Sequence, residues 1–352
     1  MQKKWIKSTI LLFIQILIWQ LIIRNETISN LWFNYITINY NKIVYYLTSE
    51  IAFPIGEIFY FLVGIIVLFL IIKSIKNREI YIIINTISFI YFVYNSVWGV
   101  AYYKTTFSEA TKEIKIDKNI LIKLYCEHLN KAELYRYSIN KSNNQVTKFK
   151  YDTNNYLEEF KTHETKIKRE KWITNYLLIN NPTVKFSNFS LAMSYFGILG
   201  YYNPFTIESN VNRTNTDLKK PFTIFHELAH QMGFASENQA NFIAYYIGIH
   251  SNYNEVKYAT YYKTMFSLLA AIAKYDSLFV KSQIDNLPQG INIDRKAEIE
   301  YYAKYQGTAN DTFSTLNDQF LKANNQEGSI SYSRYIELVY YYQIILKNKS
   351  HL

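Results

Sequence analysis

His226-Glu227-Leu228-Ala229-His230 decides how this chain is read. On a helix, residues i and i+4 lie one above the other. His226 and His230 would then present two imidazoles to a single ion. Glu227 would point about 100° around the helix axis from His226. That directs it at a water beside the ion rather than at the ion itself. With only six histidines in 352 residues, the pattern is a strong signal.

The flanking residues support a helix. Pro221 suits a first turn, where its missing N–H costs nothing. Phe222, Phe225, Leu228, Ala229 and Met232 recur near a period of 3.6. Gly233 is placed to end the helix in a left-handed conformation. Lys219 and Lys220 run against this, because a helix start favours acids.

Two imidazoles need a third ligand. A histidine six residues after His230 would complete one zinc pattern, but that position is Ser236. The next candidate is Glu237. On an unbroken helix it would lie roughly 13 Å along the axis from the histidine pair. The chain must therefore stop at Gly233 and fold back. A second helix capped by Ser236 would return Glu237 to the ion. Asn241, one turn later, would hydrogen-bond a ligand from behind. Glu208 is the alternative third ligand and precedes the histidines.

His226-Glu227-x-x-His230 followed by Glu237-x-x-Ala240-Asn241 resembles the gluzincin pattern. The second element is similar to that of the CAAX-processing and heat-shock membrane proteases, in which the intervening segment is longer. The whole chain resembles an uncharacterised family of bacterial membrane proteins. Matching stretches are 53–57, 193–198, 200–208, 221–242 and 327–332. The resemblance implies three hydrophobic segments before a zincin-like domain. That family usually carries a second acid where this chain has Gln239.

The N-terminal third has its own character. Residues 5–23, 51–72 and 80–102 are apolar runs near the ~20 residues that cross a bilayer. A signal peptide is the alternative for the first, but no small-residue cleavage site follows it. Lys3, Lys4 and Lys7 flank the first run, and Lys73, Lys76 and Arg78 fill the loop before the third. The positive-inside rule makes those two regions cytoplasmic. Residues from 104 onward then lie outside the cytoplasm, in the inner membrane of a bacterium. Glu57 is expected at a helix start near the interface. Trp32, Ile36, Tyr40, Ile43, Val44 and Leu47 suggest an amphipathic helix between the first two runs.

The net charge of +10 accompanies general enrichment in Lys, Asn, Ile and Tyr. No basic motif with interleaved aromatics stands out, so nucleic acid is not an expected partner. The lone Cys126 excludes an internal disulfide and is expected to be a small buried residue. Residues 104–180 read mainly as helices. Residues 184–186, 191–198 and 201–211 read as short strands, with 197–204 as the candidate substrate-pairing edge. Residues 258–273 and 332–346 read as further helices. Tyr332 is a candidate oxyanion donor.

The expected fold class is α+β and mostly helical. A membrane region, 1–103, precedes a zincin-like domain, 104–352, with a small sheet and the helix carrying His226. The expected activity is zinc-dependent hydrolysis of peptide bonds in a peptide or protein substrate, with Glu227 as general base. Two other readings are a binding or assembly module without catalysis, and an amidase acting on a cell-envelope component.

Overall fold

Long apolar runs near the N-terminus favour helices, and the computed structural model forms helices there. It describes residues 2–107, 116–179, 181–332 and 334–349. The chain divides into two units, residues 1–106 with 203–208, and residues 107–202 with 209–352.

The first unit is helical. α1 (Gln2–Arg24) is followed by α2 (Glu26–Trp32), capped by the Asn25 side chain. A π-helical turn, Phe33–Thr37, leads into α3 (Ile38–Thr48). α4 (Ile55–Asn77) starts after Pro54 and ends at Arg78, whose φ of +56° is left-handed. α5 (Tyr81–Val97) passes into a short 3-10 turn, Gly99–Tyr102. Glu57 sits in the first turn of α4, as expected.

α1 and α4 are long and apolar enough to cross a membrane. Most of their apolar side chains face outward, with Leu11, Phe13, Leu21, Phe61 and Phe69 all more than half exposed, although Trp19 is buried. α5 has 17 residues and falls short of the 80–102 span expected from sequence. The difference lies at its end, where Trp98 departs from helical geometry and the chain tightens. α5 nonetheless runs parallel to α1. Lys4 lies 5.2 Å from the Tyr81 ring, Gln15 bonds Ser88, and the Trp19 and Phe92 rings are 6.3 Å apart.

In the segment between α1 and α4 the apolar stripe and the buried face differ. Ile36, Ile43 and Leu47 are exposed, whereas Phe33, Thr37 and Asn41 are buried. The π turn inserts extra residues per turn, which shifts the helical phase. Thr37 and Trp32 both donate to the carbonyl of Ser96.

The second unit holds the packed core. α6 (Lys118–Ile139) is capped by Asp117, and α7 (Thr153–Ile167) by an Asp152–Asn155 capping box. β1 (Val184–Phe186) precedes α8 (Ser190–Tyr195). β2 (Gly200–Asn203) and β3 (Glu208–Val211) follow. The three strands form a mixed sheet in the order β1-β3-β2, with β1 parallel to β3. The strand expected over 191–198 is therefore mostly helix. Leu191, Ala192 and Met193 are strong helix formers, and Gly197 at φ +71° ends the turn.

Eight of the remaining segments are regular. α9 (Lys220–Gln231) carries the histidine pair and is buried from Pro221 to Gln231. α10 (Glu237–His250) and α11 (Asn254–Ile272) complete the centre. α12 (Ser277–Asp285), α13 (Gln289–Ala303), α14 (Thr308–Ala323), a 3-10 turn Gly328–Tyr332, and α15 (Tyr335–Lys349) surround it. α11 packs on α6, and α10 packs on α9 and α15. Cys126 faces outward on α6 and is exposed, contrary to expectation.

Candidate metal centre

The expected helix forms with its expected ends. Pro221 occupies its first turn and Gly233, at φ +93°, follows its last. The Gly233 N–H bonds the carbonyl of His230, and the Phe234 N–H bonds that of Ala229. This corner reverses the chain, and α10 begins at Glu237. Ser236 occupies the cap position, but its side chain makes no capping bond. Gln326, from the segment after α14, supplies an acceptor to the Glu237 N–H at 2.9 Å instead.

The fold-back brings three ligand-type side chains together. His226 Nε2 lies 3.1 Å from His230 Nε2 and 3.1 Å from Glu237 Oε2. His230 Nε2 lies 3.7 Å from Glu237 Oε1. Among the described residues these three form a group able to hold a metal ion, with ligand atoms within 4.8 Å of one another. Glu208 is not part of it. Its carboxylate accepts the backbone N–H groups of Ile55 and Gly56 and the Thr206 hydroxyl, within the first unit. The side chain of Tyr332 lies outside the described residues.

The orientation of the histidines is fixed from behind. His226 Nδ1 is 2.9 Å from Asn241 Oδ1, and His230 Nδ1 is 2.7 Å from the Phe234 carbonyl. Both partners are acceptors, so both Nδ1 atoms donate. A neutral imidazole then keeps its lone pair on Nε2. Two lone pairs and a carboxylate thus converge on one point, which calls for positive charge there. Ligand–ion bonds of ~2.0–2.1 Å in a tetrahedron would set ligand atoms about 3.3 Å apart. The observed separations bracket that value. Two imidazoles and one carboxylate form a donor set that suits zinc.

The three groups also shift one another's titration. Burial would raise Glu237, but His230 and His226 hold its carboxyl down to about 2. Burial would lower His230, but the Glu237 carboxylate brings it up to about 9. Burial lowers His226, despite its bond to Glu237.

Glu227 stands apart from the ligand group. Burial pushes its carboxyl up to about 8, against the pull of His230. Its Oε2 has no hydrogen-bond partner among the described residues. Ser209 of β3 donates to the Glu227 carbonyl at 2.8 Å, tying the sheet to this helix. β2 is an edge strand of the sheet, and its Gly200 passes over Glu227. The Tyr202 ring lies 6.3 Å from the His230 ring.

Sequence reading missed Gly200 as an individual residue, the Phe234 carbonyl and Gln326. A backbone acceptor leaves no mark on residue type, and Gln326 is 89 positions from the residue it caps. Gly200 lies within 197–204, the candidate edge.

No curated protein and no solved structure matches the chain. A family model does match, over residues 30–340, which include the whole His226–Glu237 cluster and three of the five N-terminal α-helices complete. The chain belongs to that family, described as "Protein of unknown function (DUF3810)".

Proposed function

We propose that this protein is a membrane-anchored, zinc-dependent hydrolase of peptide bonds. The observation that carries the reading is the convergence of His226, His230 and Glu237, with both Nδ1 atoms tied to acceptors. Zinc held there supplies Lewis acidity, polarising a carbonyl and acidifying water. Asn241 and the Phe234 carbonyl orient the two imidazoles. Glu227 takes a proton from the attacking water and delivers it to the leaving amine. Gly200 leaves room for the Glu227 carboxylate beneath the edge strand.

Retention of a glutamate between the histidines favours catalysis over a binding module, because ion binding does not need it. The substrate is a peptide or protein, read through an edge strand by its backbone.

The anchor is the first unit. α1 and α4 have the length and apolar surface of spans. The parallel pairing of α5 with α1 supports a third crossing in the same direction. A 17-residue helix is ~25 Å long, at the short end of what a span requires. With Lys73, Lys76 and Arg78 on the cytoplasmic side, three crossings place the metal centre outside the cytoplasm of a bacterial cell.

Glu227→Gln tests the activity. It preserves size and most polarity but removes the base. Zinc content and folding are expected to match the unaltered protein, while peptide turnover falls by roughly 10²–10⁴-fold. Undiminished turnover in a folded, zinc-loaded variant would refute the mechanism.

A further inference from the structure

A second charged site lies in the second unit. Lys219, just before α9, Lys263 of α11 and Arg295 of α13 line one cavity of about 330 Å³. Its only acid is Glu298, and that group is already engaged. Lys219 lies 3.5 Å from Glu298 Oε1, and the Tyr262 hydroxyl donates to Oε2 at 3.2 Å. Lys263 and Arg295 are different. Among the described residues neither has a carboxylate within ion-pair distance or a side-chain hydrogen-bond acceptor. The Lys263 ammonium instead sits 4.7 Å from the Phe222 ring centre and 5.3 Å from that of Tyr335.

Lys219 and Arg295 against Glu298 leave the cavity with excess positive charge even where Lys263, at about 7, is half-titrated. Ring faces stabilise an ammonium only modestly, and even a partly buried ammonium such as that of Lys263 is costly without a counter-ion. Burial and the neighbouring Lys219, opposed by Glu298, bring the Lys263 ammonium down to about 7. An anion in the cavity would remove that penalty. Arg295 offers a planar fork and Lys263 a point charge, the pair of donor types that holds a phosphate. The remaining lining is Ser267 together with the apolar Phe266, Ala270 and Ile299. The volume is at the lower end of the ~300–1,000 Å³ usual for small-molecule pockets, which exceeds the need of a bare phosphate.

We propose that this cavity binds a phosphate monoester, with Lys263 and Arg295 holding the dianion and the apolar wall holding its organic body. The site shares no residue with the metal centre, and its occupancy does not depend on the hydrolase reading.

Phenyl phosphate titrated calorimetrically into the full-length protein, in neutral detergent and chloride buffer, tests this directly. Saturable binding of one equivalent is expected. Lys263→Met and Arg295→Gln should each weaken it at least tenfold, with zinc content unchanged. Lys263→Met should melt no lower than the unaltered protein without ligand, because it removes an uncompensated charge. If Lys263→Met fails to fold, Arg295→Gln alone carries the test. Absence of saturable binding, or undiminished binding in the folded variants, would overturn the site. Benzoate binding as tightly as phenyl phosphate would overturn the dianion assignment. Inorganic phosphate binding as tightly would overturn the role given to the apolar wall.

Discussion

Gly200 and Glu227 are in direct steric register: a Cβ on Gly200 would meet Glu227 Oε1 at 2.6 Å and Cγ at 2.8 Å. The same Cβ would lie 3.0 Å from the Asn210 carbonyl, so relief by backbone movement is limited. Gly200→Ala should displace the carboxylate without touching His226, His230 or Glu237. The expected cost of overpacking is about 1–3 kcal/mol. Turnover should drop at least tenfold while zinc stoichiometry holds. Metal analysis and peptide hydrolysis on one preparation read both, and full activity in Gly200→Ala would show that Glu227 has no fixed position.

The ligand set is open to direct assay by zinc content of the full-length protein. One zinc per chain is expected, lost in His230→Ala and in Glu237→Ala. Asn241→Ala should retain a site weakened about 10–100-fold, the usual effect of losing an orienting partner. Glu208→Ala should keep its zinc. It should instead lower the melting temperature, since two buried N–H groups of α4 lose their acceptor, at about 1–3 kcal/mol each at most. Full zinc in Glu237→Ala would remove that residue from the set.

Topology turns on α5. Single cysteines placed in a Cys126→Ser background and labelled by an impermeant reagent in intact cells read the side directly. Positions in α13 and α14 should label, and the loop 78–80 should not. The reverse pattern would invert the orientation. Protection of both would show that α5 does not cross.

Glu164 should leave a mark on the pH dependence of stability. Burial raises its carboxyl to about 7, although it accepts the Ile179 N–H. A folded pKa above the unfolded one means the native state binds the extra proton. The contribution is therefore complete below about 4.5, the unfolded value, and disappears as pH rises through about 7. Denaturant melts between pH 5 and 8 should show the protein losing stability relative to Glu164→Gln. Parallel curves would mean that Glu164 titrates normally.

The legible parts of this fold were the local ones. Pro221, the apolar stripe and Gly233 lie within one helix and its exit, so spacing alone located α9 and the corner. Glu237 followed from the reach of a helix, and Asn241 from one further turn. Failures came where a partner is remote or the backbone departs from regular periods. Glu208 is an alternative ligand by residue type, ranked behind Glu237 because it precedes the motif, yet its carboxylate serves Gly56, 152 positions away. The π turn at Phe33–Thr37 moved the buried face off the stripe that an ideal helix would present. At 191–198 the aromatic content suggested a strand, and the intrinsic preference of Leu191, Ala192 and Met193 prevailed.

The bond between Gln15 and Ser88 also imposes an order of events during synthesis. The two residues are 73 positions apart. At ~5–20 residues per second, α1 emerges several seconds before α5 can meet it. Throughout that interval the Gln15 amide has no Ser88 to bond, and in a membrane-spanning α1 the hydrocarbon would offer it nothing in exchange. A nascent α1 that crosses a bilayer would therefore need a polar surrogate until the later helix arrives.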